Sequence, residues 1–190
     1  MNEMSQIKPP GGAATPVLQV TDLKKHFPIH GGFFGGTTGH VYAVDGVSFD
    51  IMKGETLALV GESGCGKSTV GKAILRLFPI TGGQVVLDGT RIDDMGAGTL
   101  RPMRRRMQVV FQDPFSSLNP RMRVRDILAE PIRNFGLARN ARDLEERVAL
   151  LMDKVRLPRD AVGRWPHEFS GGQRQRIGIA RALAADPDLI

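Results

Sequence analysis

Cysteine is nearly absent. Cys65 stands alone among 190 residues, so the chain can form no internal disulfide and cannot supply a cysteine-based zinc or iron–sulfur site. A reducing compartment is the simplest fit for such usage. Long apolar runs are missing too: none approaches the roughly 18–20 residues that a spanning helix needs. The first sixteen residues, MNEMSQIKPPGGAATP, have no apolar centre of the signal-peptide kind. A cytosolic chain is expected, with docking on a membrane protein left open. Acidic residues are the scarcer sign, 20 against 26 Lys and Arg, giving a formal net charge of +6. That balance suits nucleotide phosphates, nucleic acid or an anionic membrane face, or is a solvated surface. The densest basic run, Arg104, Arg105 and Arg106, has no aromatic residues between its members, which weakens a stacking interface for nucleic acid.

What is present is ordinary for a globular protein, with 41% hydrophobic and 24% charged residues. The length suffices for one domain, or one domain with a subdomain. Residues 1–16 lack periodicity and read as a disordered lead-in. VLQV at 17–20 reads as a short strand, and the glycine-rich 30–40 as a mobile loop. VYAVDGVSFDI at 41–51 alternates as a half-buried strand does, and Lys53-Gly54 make a turn. TLALV at 56–60 is expected to be a buried strand. In STVGKAILRLF, Val70, Ala73, Ile74 and Leu77 fall at helical spacing. TGG at 81–83 is expected to turn, and QVVLDG and MQVVF (107–111) to be strands. From Val124 to Lys154 the spacing is mostly helical with a break expected at Pro131, and a further helix is expected from about Ser170 to Ala185.

Between the predicted strand at 56–60 and the predicted helix lies GESGCGKST, residues 61–69, a complete phosphate-binding loop. The pattern needs each residue type. Glycines such as Gly61, Gly64 and Gly66 let the backbone curl until successive N–H groups face one anion, here those of the Glu62–Cys65 stretch and beyond. The following helix adds its positive end. Lys67 offers a point charge to the β- and γ-phosphates, and the Ser68 hydroxyl suits Mg²⁺. Thr69 is placed to reach a phosphate, and the whole loop, Ser63 included, is expected to bind ATP. Cys65 reads as a small buried or loop residue rather than a reactive thiol.

A second pattern is FSGGQRQRIGIARAL at 169–183. Ser170 is a good N-cap, and Gly171-Gly172 leave N–H groups uncovered, so a second anion site at a helix N-terminus is open. The alternative is an ordinary capped helix packing Ile177, Ala180 and Leu183 into a core.

Taken together, GESGCGKST and FSGGQRQR about a hundred residues later resemble the ATP-binding subunits of ABC transporters, whose signature motif is FSGGQ. FQDPFSSLNPRM and WPHEFSGGQRQR are most similar to the oligopeptide/dipeptide importer branch. The likeness covers about residues 17–190. It implies an α/β fold of the P-loop NTPase type, with a small antiparallel β portion and an α-helical subdomain at about 113–169. By the same resemblance Gln112 is the Q-loop glutamine, reaching Mg²⁺ and the attacking water. Phe27 matches the aromatic that stacks on adenine, its other reading being a core phenylalanine, with Tyr42 as a substitute. Ser170, Gly171, Gly172 and Gln173 would contact the γ-phosphate held by a second ATPase subunit, in a homo- or heterodimer. Permease subunits would dock on the helical part, where Phe115 and Leu118 are either contacts or core, and a solute-binding protein would act indirectly. The expected location is the cytoplasmic face of the membrane, with no nucleic-acid partner.

The sequence departs from the family after ADPDLI, residues 185–190. The Asp-Glu that ends the family's next strand, the D-loop and the switch histidine do not follow, so the C-terminal part of the core is expected to be missing. Phosphoryl transfer needs water, metal and charge positioned together, so little turnover is expected of these residues alone. The implied function is MgATP binding, with hydrolysis in the complete protein driving uptake of peptides or related solutes. The alternatives are a nucleotide-binding fragment without turnover and an ABC ATPase acting on nucleic acid.

Overall fold

The computed structural model describes residues 15–31 and 36–190. Two long strands, β1 (Leu18–Gly31) and β2 (Gly36–Ile51), pair antiparallel from Leu18↔Ile51 to Gly31↔Gly36. The hairpin therefore runs through much of the glycine-rich stretch expected to be a loop, with residues 32–35 outside the described residues. Backbone pairing needs no side chain, so glycine does not forbid it; it only weakens it. Irregularities in register fall between Val20 and Leu23 and near His26.

On the other edge of β1 lies β3 (Gly82–Leu87), followed by the short β4 (Thr90–Arg91), giving the order β2-β1-β3-β4. β3 begins inside the segment expected to turn. Gly83 explains this: at φ +85° it passes so close to β1 that a Cβ would sit 2.3 Å from the Asp22 carbonyl oxygen. Below the sheet, α1 (Lys67–Ile74) buries Val70, Ala73 and Ile74. Leu77 falls past its end and is 53% exposed, so it does not join that apolar face. A helix not foreseen from sequence, α2 (Ala97–Arg106), packs Leu100 and Met103 against the same core. Glycines and Pro102 obscure its periodicity.

The second half is helical: α3 (Pro114–Ser117), α4 (Val124–Asn134), α5 (Ala141–Lys154) and α6 (Gly171–Leu183). α4 continues through Pro131 to Asn134, so the break expected there does not occur. It lies in the helix's last turns, where Phe135 N–H still reaches the Pro131 carbonyl. Ile127, Leu128, Ile132, Val148, Met152, Ile177 and Ala180 close a core into which Leu118 is also buried. Leu118 is thus a core residue, while the Phe115 side chain lies outside the described residues.

Two predicted strands do not form. Residues 56–60 pair with nothing among the described residues; Leu57 and Leu59 are 38% exposed and Val60 89%. Of the 107–111 segment, only Met107 bridges, in parallel with Leu189. A buried parallel strand is stable only with neighbours on its edges and covered faces. Among the described residues, the single Met107–Leu189 bridge is the only parallel pairing.

Candidate phosphate-binding site

Residues 61–66 carry the chain from the unpaired 56–60 segment into α1. Gly66 caps the helix in the left-handed region, φ 93°. A Cβ there would meet the Ala43 carbonyl oxygen at 2.2 Å, so glycine is needed both for its conformation and for the close approach of β2. No side chain caps this helix. The first N–H groups of a helix have no acceptor within it, so those of α1 are left for a ligand.

The loop borders a cleft of about 460 Å³ lined by Val41, Tyr42, Ala43, Ser63 to Thr69 and Gln112. The Lys67 ammonium lies across its own loop, donating to the Gly61 carbonyl at 2.8 Å and the Glu62 carbonyl at 2.6 Å. Its Nζ also lies 3.5 Å from Cys65 Sγ. Cys65 is exposed, so of its expected readings the loop residue stands and the buried one does not.

Of the residues singled out from sequence, the structure gathers Ser63, Gly64, Cys65, Gly66, Lys67, Ser68, Thr69 and Gln112 around one cleft. Gly61 and Glu62 reach it through the carbonyls that hold Lys67. The signature residues do not line it. Ser170 instead closes a capping box on α6: its Oγ accepts from Gln173 N–H at 3.3 Å, and Gln173 Oε1 accepts from Ser170 N–H at 2.9 Å. Ser170 and Gly172 are exposed at the helix tip.

The aromatic assignment is where the structure departs most from the sequence reading. Phe27 is not among the residues lining the cleft. Its ring packs edge-on against Phe78 at 5.6 Å, with the Lys25 ammonium 4.7 Å above it. Lys25 is buried and donates to the Pro79 carbonyl, which fixes that cluster. Tyr42, 64% exposed, lines the cleft instead. It packs against the His26 ring at 4.4 Å, and His26 Nε2 lies 3.1 Å from Asp45 Oδ1. Periodicity could not show this, because it depends on how β2 crosses the loop.

The residues fit a triphosphate and Mg²⁺. An uncapped helix end and the Lys67 ammonium, held only by neutral carbonyls, supply positive charge to phosphate oxygens, and Ser68 and Gln112 offer hard oxygen donors in the same cleft. Among the described residues, no cluster of acidic, His or Cys side chains could hold a metal by itself. An ion here would therefore take most of its ligands from phosphate and water.

Known proteins resemble this chain in sequence and in fold. The Bacillus subtilis oligopeptide transport ATP-binding protein AppF is 51% identical over 175 residues, spanning 92% of this chain and 53% of AppF. The Escherichia coli glutathione import ATP-binding protein GsiA is 50% identical over 175 residues, or 92% of this chain and 28% of GsiA. The chain thus spans about half, or less, of the length of these relatives. The dimeric, ADP- and Pi-bound ATP-binding cassette MJ0796 superposes with a TM-score of 0.76 at 27% identity, covering 90% of this chain and 70% of that one. The profile of the ABC transporter family matches residues 44–190, from within β2 through the loop, Gln112 and α6. With most of its length matched by that profile, the chain belongs to the ABC transporter family.

Proposed function

We propose that this chain is the nucleotide-binding part of an ABC importer's ATP-binding subunit, taking MgATP at the Lys67 loop. In the whole protein it would hydrolyse MgATP as a dimer and drive uptake of peptides or related solutes through a membrane permease. Its place would be the cytoplasmic face of the membrane, held by that permease. The observation that carries this is the uncapped N-terminus of α1, facing one cleft with Lys67, Ser68, Thr69 and Gln112. Two of the relatives named above are an oligopeptide transport and a glutathione import ATP-binding protein, which supports the solute class.

In this reading Lys67 leaves the Gly61 and Glu62 carbonyls and takes the β- and γ-phosphates, exchanging neutral acceptors for charged ones. The N–H groups from Gly64 to Thr69 orient the phosphate chain. Mg²⁺, when bound, offsets charge on the β- and γ-oxygens. Ser68 and Gln112 would hold it, and Gln112 would also orient the attacking water. The adenine would lie towards β2. The capped tip at Ser170, Gly171, Gly172 and Gln173 would complete the site of a second subunit, since it stands outside this chain's own cleft. Residues of about 113–169 would form the helical part that meets the permease.

The test is nucleotide affinity. A fluorescent ATP analogue with Mg²⁺ should bind the wild-type chain, and Lys67→Ala should weaken it about 10- to 100-fold, the worth of a charge-assisted hydrogen bond. Equal binding by both would overturn the assignment of the loop.

A further inference from the structure

Helix α2 carries four arginines and no acidic residue. Arg106 is accounted for, bridging Asp88 at 2.6 Å and Asp188 at 2.5 Å. The other three are exposed and meet no carboxylate among the described residues. Arg101 donates to the Asn134 carbonyl at the end of α4, Arg104 to the Arg76 carbonyl beyond α1, and Arg105 to the Ala185 carbonyl beyond α6. Their spacing, i, i+3 and i+4, puts them on one side of the helix, while Leu100 and Met103 pin the other to the core. Next to the Arg104 acceptor stands Leu77, 53% exposed.

We propose that this face binds the phosphate headgroups of an anionic bilayer. The three guanidiniums are anchored to three different elements, so they spread over a junction instead of lining a groove. None of them lines the phosphate-loop cleft. A peptide would need such a groove for its side chains; a bilayer needs only a broad cationic face. Forked guanidiniums suit phosphate oxygens, and an exposed leucine among them matches the mixed cationic and apolar character of an interfacial surface. Placement of Arg104 and Arg105 in the last turn of α2 also suits the helix dipole, but that effect explains their position and not their lack of carboxylate partners.

The experiment is flotation of the chain with phosphatidylcholine vesicles, with and without about one-third phosphatidylglycerol. Binding to the anionic vesicles should be strong in dilute salt and fall in concentrated salt. R101Q/R104Q/R105Q should lose roughly 100-fold in partitioning, at about five-fold per cation near a surface. The lysine triple variant should retain most of it. A charge-matched variant elsewhere, K53Q/R142Q/K154Q, should lose much less. Retained affinity for the fluorescent nucleotide shows that the variants are folded. Equal losses in the two glutamine variants would mean net charge alone acts and would overturn the proposal. So would equal binding to neutral vesicles, or capture of soluble polyglutamate in an α2-dependent way without vesicle binding.

Discussion

The helical region and the phosphate-loop region differ in how completely each closes its own core. From Leu118 to Ala184 the apolar side chains meet one another, and among the large hydrophobics of this region only Leu150 is markedly exposed. In the loop region, Leu57, Leu59, Val60 and Phe111 are uncovered although Leu18, Val20, Leu23, Val85 and Leu87 are fully buried nearby. Composition does not separate the two. A helix satisfies its backbone alone and needs only one covered stripe, whereas a parallel strand needs partners distant in sequence on its edges. The antiparallel hairpin of β1 and β2, whose strands follow one another in sequence, pairs along its described length apart from irregularities in register; the segment at 56–60 does not pair.

The largest effect expected from this contrast lies in the helical core. Leu128 is fully buried in α4. Leu128→Ala should cost about 2–5 kcal/mol, from lost burial and the cavity left behind. Urea unfolding would measure it, and a cost under 1 kcal/mol would mean that this core is loosely packed.

Next is Asp93, the buried carboxylate of the loop region. Burial pushes its pKa up, but hydrogen bonds from the Arg91 guanidinium and from Val85 N–H outweigh this, and the net shift is down. Asp93→Ala would orphan the Val85 N–H, at about 1–3 kcal/mol. The sign of the pH dependence follows. With its folded pKa depressed, Asp93 stabilises the fold above the ordinary carboxylate range and loses this as pH falls through the folded value. The gap between wild type and Asp93→Asn in urea midpoint should therefore be widest near neutrality and close below about pH 4. A gap that widened in acid would show that Asp93 is buried protonated.

Sequence showed α5, α1 and α6 because their partners lie within one turn, and the phosphate loop because its chemistry is local. It showed the cluster of loop residues with Gln112 only through resemblance, since no spacing rule brings residue 112 to residue 67. It matched Phe27 to the adenine aromatic with Tyr42 as a substitute; the two lie on paired strands, His26 opposite Tyr42 and Phe27 opposite Val41, and Tyr42 is the one that lines the cleft. Which ring reaches the loop depends on the irregular register there. The 97–106 helix was hidden by glycines and Pro102, which tertiary packing of Leu100 and Met103 overrides.

A smaller effect tests the helical region at its tip. Ser170→Ala removes the cap of α6 and should cost about 1 kcal/mol in urea unfolding. Gln173→Ala removes the reciprocal bond to Ser170 N–H. The pair should be less than additive, because the two side chains serve one box. Additive losses would mean that the box is not formed in solution.

The smallest expected effect is the most informative about the comparison. Leu59 is apolar, sits between Ala58 and Val60, and would be a prime core residue in a completed parallel sheet. There, Leu59→Ala should cost as much as Leu128→Ala. In this chain it is 38% exposed and lies outside any strand, so truncation should change stability by no more than about 0.5 kcal/mol. Amide exchange at residues 56–60 should likewise be fast beside that of α4 and α6, since these amides lack ladder partners. The two measurements interrogate different things, side-chain burial and backbone pairing. A loss of 2 kcal/mol or more with slow exchange would mean that another segment covers this strand in solution, and the contrast between a closed helical core and an open loop core would fail. A loss near zero with fast exchange would place the phosphate loop at the end of an unsupported segment, with its geometry held by Gly66 against β2 and by Lys67 across the loop.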